Sequence, residues 1–283
     1  LLHHPDKQQA ARIVSACVAE ISRLENIFSL YRQESALVQL NSQGFLDHPP
    51  LELVQALADC RRISDITGGA FDVTVQPLWQ LYAGHFSSID PDPQGPSADK
   101  IALATSRIDY RKIAIGSDRI EFGTPGMAIT LNGFAQGFIT DRVSDLLRSE
   151  GMKNVLVDLG ETRALDDHPA GRPWRVGIRD PKNSSGVVRT LAVDNLAVAT
   201  SRGYGQKFHA SSPQHHLFDP KTGAASHRYA SVTVMATSAA TADALSTALS
   251  SLSVTNAATA LRKSGAKAAL FLNEDGTFED VQV

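Results

Sequence analysis

The sequence lacks most of the features that would assign it at a glance. It holds only two cysteines, Cys17 and Cys60, and they have neither a metal-type nor a redox-type spacing. Both fall on apolar-patterned helices and read as core residues. No stretch approaches the roughly 20 apolar residues of a membrane span. No long run of Lys or Arg is present, and a formal net charge of −3 argues against nucleic acid as the main partner. An anionic ligand would therefore need a local device, such as a metal ion or backbone amides. No repeat or low-complexity segment interrupts the chain, and charged residues, at 20%, are spread along it. What is present is ample apolar material: 42% hydrophobic residues over 283 positions, enough for one elaborated domain or two intimately packed lobes. The chain opens at Leu1-Leu2, without Met or signal peptide, and reads as a processed or trimmed product whose targeting segment, if any, is missing.

Periodicity predicts a helix from Asp6 to Phe28, opened by Pro5-Asp6, with Val14, Cys17, Val18, Ile21, Leu24 and Phe28 on its apolar face. A second helix is expected from Leu51 to the stop at Gly68-Gly69, then an exposed loop over 84–99 and a hairpin over Ile113–Phe122. Ala128–Leu131 reads as a short strand running through Gly133 into a helix that ends before Gly151. Strands are expected at Val155–Leu159, Trp174–Ile178, Leu191–Val193, Leu196–Ala199 and His216–Phe218, with a loop near Pro181 to Gly186. Tyr229–Met235 alternates like a half-buried strand; helices at Ala239–Leu252 and up to Lys263, and a strand at Ala268–Leu272, close the chain. Hairpins mixed with strand–helix units indicate an α+β fold, with mixed or antiparallel sheets and packed helices.

Three segments carry candidate chemistry. In Ala242-Asp243-Ala244-Leu245-Ser246-Thr247, helical spacing puts Asp243, Ser246 and Thr247 on one face. A carboxylate with hydroxyls is a hard-oxygen set suited to Mg²⁺; the plainer alternative is an acid placed favourably in a helix dipole. Asn132-Gly133-Phe134-Ala135-Gln136-Gly137 is a glycine turn whose free amides can approach a phosphate or a metal, although it lacks a Walker lysine and dinucleotide-fingerprint spacing. In His215-His216-Leu217-Phe218-Asp219-Pro220, neighbouring histidines point to opposite faces, so the pair is a poor chelate, while one inward His is a candidate general base. Tyr31 and Phe71 suit either ring stacking or core filling, Asp72 a turn cap, and Asp158 and Glu161 an acid/base role or plain solvation.

Taken in order, these segments resemble the ApbE family of flavin transferases over nearly the whole chain. The matching pieces begin with Phe28-Ser29-x-Tyr31, Ser35-x-Leu37-x-x-Leu40-Asn41 and Gly68-Gly69-Ala70-Phe71-Asp72-x-Thr74. They continue with Gly133–Gly137 plus Asp141, Pro173-Trp174-x-Val176-Gly177-Ile178 and Ala199-Thr200-Ser201. They end with His216-Leu217-Phe218-Asp219-Pro220-x-Thr222-Gly223 and Ala242–Thr247. Asn132–Gly137, Asp158-Leu159-Gly160-Glu161 and His215–Phe218 look closest to the NosX branch, associated with nitrous oxide reduction.

The resemblance implies a T-fold-like architecture and Mg²⁺-dependent transfer of FMN from FAD, the substrate, to a protein Thr or Ser hydroxyl, with AMP released. It implies His216 as the base and Asp243, Thr247, Ser246 and the Gly133 carbonyl as the metal set. Flavin nucleotide contacts would fall at Tyr31, Ala70, Phe71, Asp72, Thr130, Gln136 and Leu217. It further implies a periplasmic location and an acceptor flavoprotein, with a NosR-like membrane protein as one candidate. The family often has Asp at the position of Thr130 and Lys at that of Gln136; the expectation is a coupled exchange, a charged contact become a neutral hydrogen bond. Two rival activities remain: a Mg²⁺-dependent FAD pyrophosphatase, and a non-catalytic flavin-binding maturation protein.

Overall fold

The computed structural model describes residues 6–183 and 185–283; Pro5 of the first cap, and Ser184 of the loop near Pro181 to Gly186, lie outside the described residues. Helix α1 (Lys7–Phe28) starts where the Asp6 carboxylate accepts the N–H groups of Gln8 and Gln9. Its inward stripe keeps Cys17, Ile21, Leu24 and Phe28 of the expected face but not Val14 and Val18. Ile13, Leu24, Ile27 and Phe28 are buried, whereas Val14 and Val18 are 46% and 60% exposed. The inward stripe steps by three and four from Ile13 through Cys17 and Ile21 to Leu24 and Phe28, and Val14 and Val18 stand about 100° off it.

Helix α2 (Ala36–Gln43), capped by Ser35 Oγ on the Val38 N–H, and strand β1 (Phe45–Asp47) carried too short a pattern to read. Helix α3 (Leu51–Ile66) reaches the expected glycine stop. Helices α4 (Gln76–Phe86) and α5 (Ala98–Thr105) trim the expected 84–99 loop from both ends. Strands β2 (Ile113–Ile115) and β3 (Arg119–Phe122) form the expected hairpin, and β1 adds to β3. Helix α6 (Ala135–Ser149) ends before Gly151, whose φ of 76° only glycine adopts without strain.

The second half supplies β4 (Val155–Asp158), β5 (Thr162–Leu165), β6 (Trp174–Arg179), β7 (Val187–Val193), β8 (Ala197–Arg202), β9 (Ser231–Ala236), α7 (Ala239–Leu249), α8 (Val254–Ser264), β10 (Ala268–Leu272) and β11 (Phe278–Gln282). Six of these strands form one sheet in the order β11-β10-β9-β8-β5-β4, and β6-β7 form a separate ribbon. Every strand pair described is antiparallel, as an α+β chain of hairpins requires. The main core joins α1, α3 and α7 to one face of the sheet; Ile178, Leu191 and Val193 of the ribbon pack with Val198 and Leu270 on the other. Strand β9 is consequently buried at both faces, not alternately half-buried as Tyr229–Met235 suggested.

Two expected strands join no sheet. At Ala128–Leu131 a side chain does a strand's work: Asn41 Oδ1 accepts the Ile129 N–H at 2.7 Å and its Nδ2 donates to the Ile129 carbonyl at 2.8 Å. The Thr130 N–H donates to the Val73 carbonyl at 2.8 Å. Around His216–Phe218 only two isolated bridges form, Lys207 with His215 and Phe218 with Ala225.

Candidate active site

A cleft of about 960 Å³ opens where the N-terminal ends of α6 and α7 meet β8, the β4–β5 turn, and the segments that follow α1 and α3. Every site residue expected from the sequence lines it except Ser246.

Its floor is set by close helix packing. A β-carbon at Gly137 would lie 2.3 Å from the Ala239 carbonyl oxygen, so α6 approaches α7 at a distance only glycine permits. The Gly137 N–H donates to Asp243 Oδ2 at 3.2 Å. Asp141, on α6, caps α7: its oxygens accept the Ala239 and Ala240 N–H groups at 2.9 and 3.0 Å and the Ser238 hydroxyl at 2.8 Å, and it pairs with Arg163 of β5. Thr247 lies one turn beyond Asp243, with Gly133 against its hydroxyl. Ser246 is a correction to the expected metal set. It is buried with its hydroxyl on the Asp243 carbonyl at 2.9 Å and 2.7 Å from Ser201 Oγ, so it positions Ser201 instead of facing the cleft.

Glu161, in the β4–β5 turn, is 8% exposed and Asp243 5%. Burial, and then the charge of Asp243, push the Glu161 carboxyl well above the usual carboxylate range. Burial pushes Asp243 up as well, against the Gly137 N–H that favours its charged form. No ion pair among the described residues includes either carboxylate. Two buried acids facing one cleft with no ion-pair partner among the described residues, beside a threonine hydroxyl and a glycine turn, are a donor set that Mg²⁺ fits. Among the described residues no cluster of three His, Cys, Asp or Glu side chains suits a metal, in keeping with a site built partly from hydroxyl and carbonyl oxygens.

His216 faces the cleft. Its Nδ1 lies 3.1 Å from the Gln206 carbonyl, which can only accept, so Nδ1 carries the proton and Nε2 keeps its lone pair. Burial lowers its pKa, opposed by that hydrogen bond, so the ring is neutral at neutral pH. His215 takes the other face, as expected, though an isolated bridge and not a strand divides the two. It is buried, its Nδ1 accepts the Leu217 N–H at 3.3 Å, and its ring packs edge-on to His227 at 4.7 Å.

Elsewhere in the cleft lining, Tyr31 is 74% exposed and stands free for a planar ligand, while Ala70, Phe71 and Leu217 are buried and present apolar wall. Asp72 proves to be a turn cap: Oδ1 accepts from the Thr74 N–H and hydroxyl at 2.8 and 2.6 Å, and Oδ2 accepts the Tyr110 N–H at 3.1 Å. The coupled exchange at Thr130 and Gln136 is not found. Thr130 Oγ1 accepts the Asn132 N–H at 3.2 Å, whereas Gln136 reaches over Gly160 toward the Leu159 carbonyl, 3.5 Å away. Both line the cleft with separate partners.

Three arginines that composition could not single out also line it: Arg175 and Arg179 of β6, and Arg202 at the end of β8, whose charge favours ionisation of Glu161. The strand alternation that puts Arg175, Gly177 and Arg179 on one exposed face was the available signal.

The model of the ApbE family matches residues 3–271. The chain belongs to the ApbE family. A FAD:protein FMN transferase of Haemophilus influenzae is 29% identical over 262 residues, covering 88% of this chain and 75% of that protein. The crystal structure of the ApbE protein from Thermotoga maritima superposes with a TM-score of 0.85 at 26% identity, over 96% of this chain and 89% of that one. The apo flavinyl transferase ApbE of Pseudomonas stutzeri gives 0.79 at 26% identity, over 98% and 87%. Both folds share the α+β arrangement described above.

Proposed function

We propose that this ApbE-family chain is a Mg²⁺-dependent FAD:protein FMN transferase that moves FMN from FAD onto a Thr or Ser hydroxyl and releases AMP. The observation that carries this is one cleft holding both a pair of buried carboxylates without an ion-pair partner among the described residues and a neutral imidazole with a free Nε2. Its volume, about 960 Å³, suits a ligand of dinucleotide size.

Asp243, Thr247 and the Gly133 carbonyl would hold Mg²⁺, which when bound would neutralise pyrophosphate charge and ease departure of AMP. Tyr31 and the apolar wall at Ala70, Phe71 and Leu217 would orient the isoalloxazine ring, and Arg202 would offer an anion partner beside the floor. His216 Nε2 takes the proton of the acceptor hydroxyl as its oxygen bonds to the FMN phosphorus; the P–O bond to AMP breaks and the electron pair leaves with AMP. The segments Asn132–Gly137, Asp158–Glu161 and His215–Phe218 support a NosX-type setting, periplasmic, with a NosR-like membrane protein as acceptor.

Incubation with FAD, Mg²⁺ and a Thr-bearing acceptor domain tests the proposal. Covalent flavoprotein and AMP in equal amounts is the expected outcome. Free FMN with AMP would make the chain a pyrophosphatase, and unchanged FAD a binding protein.

A further inference from the structure

The β6–β7 ribbon has an unusual position relative to the cleft. Arg175, Val176, Gly177 and Arg179 of β6 line it, and no residue of β7 does. Since β6 pairs only with β7, the edge of β6 turned toward the cleft is unpaired. Apart from that ladder, no backbone hydrogen bond among the described residues involves residues 174–179. Half the peptide groups of this strand therefore offer donors and acceptors to the cleft mouth.

The exposed face of the same strand carries Arg175 and Arg179 with Gly177 between them. Neither arginine has an ion-pair partner among the described residues. The strand also leads to the base. Tyr204 lies within the electrostatic reach of Arg179, Asp180 and Arg202, so the 202–206 segment adjoins the end of β6, and the Gln206 carbonyl of that segment holds His216. The other free edge at the cleft, β4, ends at Asp158 beside Glu161, at the carboxylate floor.

We infer that the acceptor polypeptide docks as an extended segment added to the free edge of β6, with acidic side chains meeting Arg175 and Arg179 and its Ser or Thr hydroxyl delivered to His216. The inference rests on the transferase reading above. Main-chain pairing supplies affinity with little sequence demand, and the two arginines fix register and charge preference.

A library of synthetic peptides with a central Thr and randomised flanks, incubated with the protein, FAD and Mg²⁺ and sorted by covalent flavin, tests it. Labelled peptides should be enriched in Asp and Glu flanking the Thr. The double variant Arg175→Glu/Arg179→Glu should label the acidic members about tenfold less well and favour Lys- and Arg-flanked ones, because like charges across an interface are strongly disfavoured. Its FAD affinity, read by flavin fluorescence, should fall much less than its labelling of the acidic members, since the two arginines are assigned to the acceptor. With an enriched peptide bound, amide exchange should slow over residues 174–179. Labelled peptides without acidic enrichment, a matching loss of FAD affinity in the variant, or protection at 155–158 in place of β6 would each overturn the docking while leaving FMN transfer intact. No labelled peptide from the unaltered protein would overturn the docking, while FMN transfer itself stands or falls on the acceptor-domain incubation above.

Discussion

Gly133 is seated directly against Thr247: a β-carbon there would lie 2.9 Å from Thr247 Oγ1 and 3.3 Å from its methyl. The turn that would offer the Gly133 carbonyl to Mg²⁺ in the proposed reaction and the helix that would offer the hydroxyl are thus already in contact. Gly133→Ala should displace that hydroxyl and weaken Mg²⁺ binding by about tenfold, the order of effect expected when metal ligands lose their orientation. Calorimetric Mg²⁺ titration would show it. Adding Thr247→Ser, which removes the crowding methyl, should recover much of the loss.

Replacing Asp243 by Asn separates charge from shape. The buried acid has no cationic partner among the described residues, so the Asn variant should be as stable as the parent or more so without metal, while transfer falls sharply and recovers in part at high Mg²⁺. Chemical denaturation and flavin transfer, measured side by side, would distinguish this from a general folding defect.

His216→Ala should retain FAD binding and lose about 10²–10⁴-fold in transfer. Because burial lowers its pKa below the 6.5 of free imidazole, His216 is already unprotonated at neutral pH. The transfer rate should therefore fall only on the acid side of 6.5, and that acid limb should vanish in the variant.

His215 has a different signature, in stability. Burial, then the charges of His227 and His216, lower its pKa from 6.5 to about 4. The folded protein thus rejects a proton that the unfolded chain accepts: the contribution is complete above pH 6.5 and drains away as pH falls toward 4. At roughly 1.4 kcal/mol per pKa unit, the loss over this window is about 3 kcal/mol. His215→Gln should flatten the pH dependence of urea denaturation there and slow transfer far less than His216→Ala.

Thr130→Val and Gln136→Ala should affect FAD affinity additively, within about 0.5 kcal/mol in a double-mutant cycle, because their hydrogen bonds go to Asn132 and Leu159 and not to each other. Fluorescence titration of the four proteins at fixed Mg²⁺ measures this.

Much of the site was legible because its chemistry is local. Asp243 and Thr247 are one helical turn apart, and the split between His215 and His216 follows from their adjacency. What could not be read depended on distant partners. Ala128–Leu131 reads as a strand, but its partner is the Asn41 amide, 88 residues away in sequence at Ile129. Glu161 matters because the fold buries it within reach of Asp243, which its own flanking residues do not reveal. Ser246 shares a helical face with Thr247 in projection, yet its hydroxyl finds Ser201 on β8, a contact that only tertiary packing creates. The α1 face was read too wide for the same reason: Val14 and Val18 are as apolar as their neighbours, and only the packing partners choose between two overlapping faces.

Asp141 gives the cleft two walls of unlike mechanical character. A single carboxylate on α6 staples the first turn of α7 and ties both to β5, so the floor bearing Asp243 and Thr247 moves as one casting. The facing side is held differently: Tyr31 stands free, and the ribbon is joined to the sheet by apolar packing at Ile178, Leu191 and Val193 and by a part-exposed ion pair from Arg189 of β7 to Asp280 of β11, a surface contact weaker than the buried staple. On the proposed reaction, the breathing that admits FAD and lets AMP escape would fall mainly on that side. Turnover limited by product escape should accordingly slow with solvent viscosity, while the alignment of the reacting oxygens stays indifferent to it.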